Sequence, residues 1–402
     1  MSNLIMTKQQ KFQIMLLMTI MFFVGVSATD IYIASLPRMV LDFHSSPSVI
    51  NLTLSSYSLG VAFAVLFVGE ISSRFGRRRC LLLGVLCFSV AAFLIAILPS
   101  IQLIIVLRVI QAFGCAVIII VPRLVLKDCM DEREQITANG ILLMGLIISP
   151  AVAPIVGAYL AKFWGWRSCF ASSGTLGLIL VVWGYFILPE TNRNPLLHFQ
   201  RPSYYLKTYF QLLTNRMFLA LTGVYAAGVA AYFTFIGISS YLYIDHWHMS
   251  PQRYSLLYLW LSGAYLSGNQ IMQYLNGKHV SSVKIIRFGV YATFIGAVVV
   301  GAAWFIPSPT LAMVVVTAGV LFMRSSNALI NPPTQIRIMS HFEQNSAQAL
   351  GLNMCIGFAV SSLAISLVTL FARQPLTGLV LVSGFFALTV VCSYRFNRKI
   401  LY

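Results

Sequence analysis

The sequence predicts an all-α integral membrane protein, with twelve transmembrane helices arranged as two pseudo-symmetric six-helix bundles. Three observations carry this. Of 402 residues, 58% are hydrophobic and only 9% are charged, where a soluble domain clothes its surface with roughly 25% charged residues. The apolar residues gather into twelve runs, each near the ~20 residues that a membrane-spanning helix needs. The longest polar interval, Pro189 to Arg216, follows the sixth run. It divides the chain into an N-terminal bundle (1–188), a linker (189–216) and a C-terminal bundle (217–402).

In order, the runs are 12–37, 48–70, 80–98, 101–124, 137–161, 168–188, 217–242, 253–275, 284–305, 309–333, 346–371 and 375–393. The first is too long for a signal peptide and lacks a small-residue cleavage site after a short core, so it reads as a retained span. All twelve exceed strand length and lack the alternation of barrel strands, which makes them helices. So much apolar sequence leaves no room for a separate soluble domain.

The net charge of +17 suggests a nucleic-acid partner only if the basic residues share a polar face. Here they sit between apolar runs. Of 27 Lys and Arg, two (Arg108 and Arg324) fall well inside spans and five (Arg38, Lys162, Arg167, Arg253 and Arg373) fall in alternate loops or at the span ends beside them. The other twenty fall in the remaining loops, at the span ends beside those and in the termini. Basic residues concentrate on the cytoplasmic side of a membrane, so both termini and the linker are expected inside. The charge is therefore a topology signal. The seven cysteines form no CxxC pair and read as small core residues. His246 and His248 form an HxH pair, too little for a metal site. No metal is expected.

Arg108 in the fourth run and Arg324 in the tenth occupy equivalent places if the second half repeats the first. A charge in the bilayer interior costs several kcal/mol, so it faces a cavity or a partner. Of ten carboxylates, Glu70 ends the second run and Asp30 alone falls well inside one, within Ala28-Thr29-Asp30-Ile31-Tyr32. It is the candidate protonatable coupling group, paired with Arg108, or else a helix-packing group near the outer interface. The turn Gly69-Glu70-Ile71-Ser72-Ser73-Arg74-Phe75-Gly76-Arg77-Arg78-Arg79 follows the second run. Its glycines allow a tight turn and close helix approach. Its arginines can bond helix-end carbonyls and a carboxylate on a neighbouring helix. That makes Gly69, Glu70, Arg74, Gly76, Arg77 and Arg78 a candidate cytoplasmic gate. Tyr32, Tyr232 and Phe322 suit a cavity for a bulky, partly apolar substrate, although packing explains each aromatic individually better than contact does. Arg324 joins them as a cavity candidate, and Asn269, Gln270, Asn327 and Asn353 are polar groups of second-half spans that serve equally to orient a substrate there or to tie helices together.

With these residues in place, the sequence resembles the major facilitator superfamily. The turn matches the family pattern GxLaDRxGRRxxL, and Arg108-Val109-Ile110-Gln111-Ala112-Phe113-Gly114 matches the RxxQGxG element associated with proton coupling. Pro150, Pro154 and Gly157 in the fifth run resemble the proline-glycine element of drug/proton antiporters, an antiporter helix. Together with Thr29-Asp30-Ile31-Tyr32, Leu36-Pro37, Trp164-Gly165-Trp166-Arg167 and Leu188-Pro189-Glu190-Thr191, they resemble the bicyclomycin/chloramphenicol-resistance (Bcr/CflA) efflux group. The detailed likeness covers roughly residues 20–195. The resemblance implies the major facilitator fold, a bacterial inner-membrane location, and proton coupling through Asp30, Arg108 and Gln111. It implies a monomer exchanging protons for a small molecule by alternating access of two bundles around a midplane cavity. The cofactor is none; the proton gradient drives transport, and the partners are substrate, protons and membrane lipid. Two positions depart from the pattern. Ser73 stands where the family has Asp, so the arginines need another carboxylate, such as Glu70. Ala112 replaces a glycine, small for small.

No GxxxxGK[ST] loop occurs, which argues against an ATP-driven pump, and nothing indicates an enzyme. The expected function is export of a drug-like compound or of an endogenous metabolite such as a siderophore. The alternatives are an importer of an amino acid or sugar, and a membrane sensor or assembly factor that keeps the fold without transport.

Overall fold

The computed structural model describes residues 7–130, 132–192 and 202–397. Part of the expected linker and the basic residues Arg193, Arg201, Arg398 and Lys399 lie outside the described residues. The described chain is helical: α1 Lys8–Asp30, α2 Leu36–Asp42, α3 Pro47–Ala64, α4 Val68–Phe75, α5 Arg77–Ile97, α6 Ile101–Cys129, α7 Glu132–Trp164 and α8 Arg167–Ile187. The second half carries α9 Pro202–Thr214, α10 Arg216–Ser240, α11 Pro251–Gly277, α12 Ser282–Ala302, α13 Pro309–His341, α14 Ser346–Thr369 and α15 Pro375–Phe396.

Among the described residues, nine helical segments are long and apolar enough to cross a membrane, and ten if the bent pair α3 and α4 counts as one span. Hydrocarbon leaves backbone groups no solvent partner, which is why apolar runs of this length become helices. The 27 residues of α11 are long enough, but Gln252, Arg253, Asn269, Gln270, Gln273 and Asn276 make it less apolar. In α7 the apolar part is the shorter stretch Ile148–Trp164.

Helix boundaries differ from the apolar runs in two ways. The first run is broken: α1 ends at Asp30, a 3-10 turn covers Ile33–Ser35, and α2 restarts at Leu36. Pro37 supplies no N–H and disfavours helical geometry in the residue before it. The second run breaks between Ala64 and Val68 with no proline or glycine at the break. In the other direction, α6 and α13 continue past their runs to Cys129 and His341, because polar residues end the apolar stretch without ending the helix.

Two compact units result, one of Met1–Ser35 with Phe63–Phe199 and the other of Leu36–Ala62 with Gln200–Tyr402. Leu36–Ala62 groups with the later helices. A buried polar node joins it to them. Asn51 on α3 donates to the Gly237 carbonyl and to Thr369 Oγ1 (2.8 Å), and accepts from the Tyr241 hydroxyl at 3.2 Å. Ser362 Oγ donates to the Ser55 carbonyl at 2.8 Å.

Within each unit, helices approach through small residues, as membrane helices do. In the first, Gly114 of α6 lies on the Gly84 carbonyl and Phe88 of α5, and Gly177 of α8 lies on Ser89. The thiols of Cys115 and Cys169 donate to the Gly25 and Gly157 carbonyls, at 3.3 and 3.4 Å. In the second, Gly296 of α12 and Gly319 of α13 each face the other's carbonyl, and Thr293 and Ser326 hydroxyls meet at 2.7 Å.

Candidate functional site

The first unit brings Arg108, Gln111, Tyr32, Asp30 and Gly157 to the break in the first span. Arg108, on α6, is fully buried at 0% exposure. Its Nη1 donates to the Ala28 carbonyl (3.1 Å) and to Gln111 Oε1 (2.7 Å). Gln111 is the next residue but two, so helix geometry alone sets that contact. The guanidinium lies 5.0 Å from the Tyr32 ring centroid and 5.8 Å from that of Phe170, and the two rings are 4.8 Å apart. A desolvated cation over aromatic faces gains about 2 kcal/mol. Asp30, half-buried, closes α1 two residues after Ala28. The amide nitrogen of Gln111 is buried with no hydrogen-bond partner.

The antiporter-helix residues of α7 meet the same break. A Cβ at Gly157 would overlap the Ile31 carbonyl, so only glycine admits this approach of α7 to the end of α1. Pro150 and Pro154 lie inside α7 and remove two backbone donors within the same helix.

The arginine turn is the second cluster. Gly76 has φ +94°, a conformation nearly confined to glycine. The Glu190 carboxylate sits against it and accepts from the Arg77 and Arg78 backbone N–H groups at 2.8 and 3.2 Å. These are orphan donors at the start of α5, and a carboxylate there also suits the positive end of the helix. The Arg77 side chain donates to Asp128 Oδ2 (3.3 Å), Ser72 Oγ (2.7 Å) and Ser73 Oγ (2.8 Å). Asp128, from the end of α6, and Glu190 are thus the carboxylates brought to the turn, where the sequence suggested Glu70. Asn192 Nδ2 also donates to the Ser73 carbonyl, and Thr191 Oγ1 donates to Asp128. Arg78 Nη2 donates to the Tyr185 carbonyl at 2.6 Å, and Arg74 lies over the Phe75 ring. Gly69 accepts from the Ser72 and Ser73 hydroxyls, and Glu70 sits in the first turn of α4.

The second unit carries the other buried-span arginine. Arg324 of α13 lies 4.6 Å from the ring centroid of Tyr232 (α10) and 4.7 Å from that of Tyr265 (α11). Both span arginines therefore lie under two aromatic rings. Asn327 and Asn353 are buried, whereas Phe322 is 49% exposed. Of the residues the sequence assigned to a substrate cavity, Arg324, Tyr232 and Asn327 come together here. Tyr32 lies instead in the Arg108 cluster of the first unit, fully buried.

Sequence reasoning missed Phe170, Tyr265, Asp128 and Glu190. Glu190 carried a signal, as part of the Leu188-Pro189-Glu190-Thr191 element; the aromatics, common in every span, carried none. Among the described residues no group of three or more His, Cys, Asp or Glu side chains is placed to hold a metal.

Residues 15–393 match the Major Facilitator Superfamily model, and the chain belongs to that family. It is 23% identical over 376 residues to a bicyclomycin resistance protein homolog of Haemophilus influenzae, covering 91% of each chain. It is 27% identical over 216 residues to multidrug resistance protein MdtL of Escherichia coli, a match spanning 54% of that protein. The resemblance to drug/proton antiporters of the Bcr/CflA type stands on these relatives. Among solved structures, nucleoside transporter NupG superposes with a TM-score of 0.73 at 16% identity, over 98% of this chain and 99% of that one. A bacterial homolog of the lysosomal transporter Spinster gives 0.74 at 13% identity, over 97% of both chains. The protein is thus a multi-pass membrane transporter with the all-helical fold of this superfamily, and not an enzyme.

Proposed function

We propose that the protein is a proton-coupled exporter, taking a drug-like compound or an endogenous metabolite out of a bacterial cell across the inner membrane by alternating access. In this reading the monomer spans the membrane twelve times, with α7 and α11 as spans beside the more apolar helices, and both termini lie in the cytoplasm. The halves 1–188 and 217–402 act as the two repeats, and the arginine turn is the cytoplasmic gate.

The observation that carries the proposal is the buried Arg108–Gln111 pair of α6 against the broken end of α1. A charge without exposure, bonded to the Ala28 carbonyl two residues before Asp30, makes a two-state element: Asp30 as carboxylate is attracted to the guanidinium, and as neutral acid it is not. Gly157 lets α7 touch the same break, so a change in the charge of Asp30 acts on a helix that the antiporter element bends. The substrate-facing set proposed for the second unit is Tyr232, Phe322, Arg324, Asn327 and Asn353, and Tyr32 serves the Arg108 cluster of the first. Export, rather than import, rests on the likeness to resistance proteins.

The test compares a deletion strain, its complemented form and an overproducing strain for secreted metabolites and drug sensitivity. Export requires at least one compound to be lost from the medium on deletion, or one drug to become more toxic. Depletion of a nutrient from the medium by the overproducer, with no secreted compound changed, would make the protein an importer and end the proposal.

A further inference from the structure

We propose that the second unit holds a subsite for an acidic group of the transported molecule, which is therefore a small organic anion: Arg324 takes its carboxylate, and Asn327, Asn331 and Asn353 take hydroxyl or amide groups beside it. This deepens the transport reading and rests on it.

Four observations converge. First, none of the helices α10 to α15 contains an Asp or Glu. Arg324 stands about halfway along α13, Pro309–His341, and no carboxylate on any helix of its unit from α10 onward neutralises it. Its position within the span also puts it beyond a lipid headgroup. The Tyr232 and Tyr265 rings solvate the cation but bring no negative charge. Second, the guanidinium is not used up by the protein, since its Nε is buried and has no hydrogen-bond partner. Third, the neighbouring amides are orphaned as well. Asn353 is 0% exposed with both Oδ1 and Nδ2 unpartnered, and Asn327 is 2% exposed with Oδ1 unpartnered. Asn331 Oδ1 is buried and unpartnered too. Such groups are costly unless something bonds them.

Fourth, the helices bring these groups together. Arg324 and Asn331 are seven residues apart and Asn327 lies between them, so all three share one face of α13. Asn327 Oδ1 lies 3.9 Å from where a Cβ on Gly228 of α10 would be. One turn on, Tyr232 covers Arg324, and one turn back, the Tyr225 ring packs on Gly357 of α14. Asn353 sits one turn before Gly357 on the face of α14 that meets α10.

The orphaned set contains acceptors (the three Oδ1 atoms) and donors (Asn353 Nδ2 and the guanidinium). A ligand that satisfies both offers oxyanion oxygens and O–H or N–H groups together. A planar guanidinium selects a carboxylate, which it can bind through two parallel bonds.

The experiment follows thermal unfolding of the purified full-length protein in neutral detergent. The probes are citrate, malate and salicylate, each beside its methyl ester. At least one acid should raise the melting temperature, with its ester needing at least about tenfold more for the same shift, since the site's charged donor is left unanswered. Arg324→Gln should weaken the acid's effect by a similar factor, and Arg324→Lys should restore part of it. Asn327→Asp puts a carboxylate one turn from the guanidinium. It should leave the ligand-free melting temperature unchanged or higher while removing the response to the acid, which a purely structural role for Arg324 would not do. The proposal is overturned if no acid acts, if acid and ester act alike, or if Asn327→Asp responds as the wild type does. Failure of the export reading would look different: the acid preference would persist while the compound accumulated inside cells.

Discussion

Gly76→Ala separates backbone strain from the carboxylate cap that rests on it. At φ +94° an alanine is strained by about 1–3 kcal/mol. Its Cβ would also strike the Glu190 carboxylate, which must shift from its place against the α5 N–H groups. The Arg77 and Arg78 N–H groups then lose the acceptor they hold at 2.8 and 3.2 Å, and loss of a helix N-cap costs about 0.5–2 kcal/mol. Gly76→Ala should therefore cost about 1.5–5 kcal/mol and Glu190→Ala about 0.5–2. In Gly76→Ala the cap is already gone, so adding Glu190→Ala should cost almost nothing more. The double variant should fall short of the sum by about the value of the cap, roughly 0.5–2 kcal/mol. Reversible unfolding of the detergent-solubilised protein in SDS, followed by far-UV circular dichroism, reads all three. Strict additivity would show that Glu190 does not cap α5, and a Gly76→Ala variant as stable as wild type would refute the strain as well.

Three further expectations follow from single contacts. Gly157→Ala drives a Cβ into the Ile31 carbonyl and should lower stability by about 1–3 kcal/mol. Gly263→Ala, where nothing lies within 4 Å, should not, and equal melting temperatures for the two would remove the close approach. Asn51→Leu breaks three hydrogen bonds of a buried side chain and should cost about 1–3 kcal/mol, with Asn51→Asp no better because Asp lacks the donor to Thr369. Ser73→Asp puts a carboxylate where a hydroxyl accepts from Arg77 Nη1 at 2.8 Å. It should stabilise the turn by up to about 1 kcal/mol, and a variant that melts below the wild type would show that Asp128 and Glu190 leave no room for a third anion.

What was legible in the sequence follows from what the bilayer forbids. A backbone in hydrocarbon has to be a helix or a closed barrel, so long apolar runs without alternation gave helices, and a charge inside such a run stands out, as Arg108 and Arg324 did. The break after Asp30 had a visible cause in Pro37. The break between Ala64 and Val68 had none, because Val65-Leu66-Phe67 is as apolar as its neighbours. The length of α11 read as a span, while its six polar or charged positions leave it short of the apolarity of the others. Partners across the fold were the least legible. Arg77 meets Asp128 and Glu190 from 51 and 113 residues away, and no local rule selects those carboxylates over Glu70. The Tyr265 and Phe170 rings were hidden by abundance, since aromatics make up 13% of the chain. The polar contacts that join Leu36–Ala62 to the later helices come from Asn51, Ser48 and Ser55, and nothing local in the sequence marks them.

Proton exchange through Asp30 is the central claim, and proton movement in everted membrane vesicles tests it most directly. Respiration acidifies the vesicle interior, an acridine dye reports the gradient, and candidate drugs and organic acids are added in turn. With the wild type, at least one compound should dissipate part of the gradient as it is taken into the vesicles. Asp30→Asn should bind that compound yet move no protons, and Arg108→Ala should be impaired with no further loss in the double variant. Full substrate-dependent proton movement in Asp30→Asn, or substrate uptake by the wild type with the gradient untouched, would contradict the account.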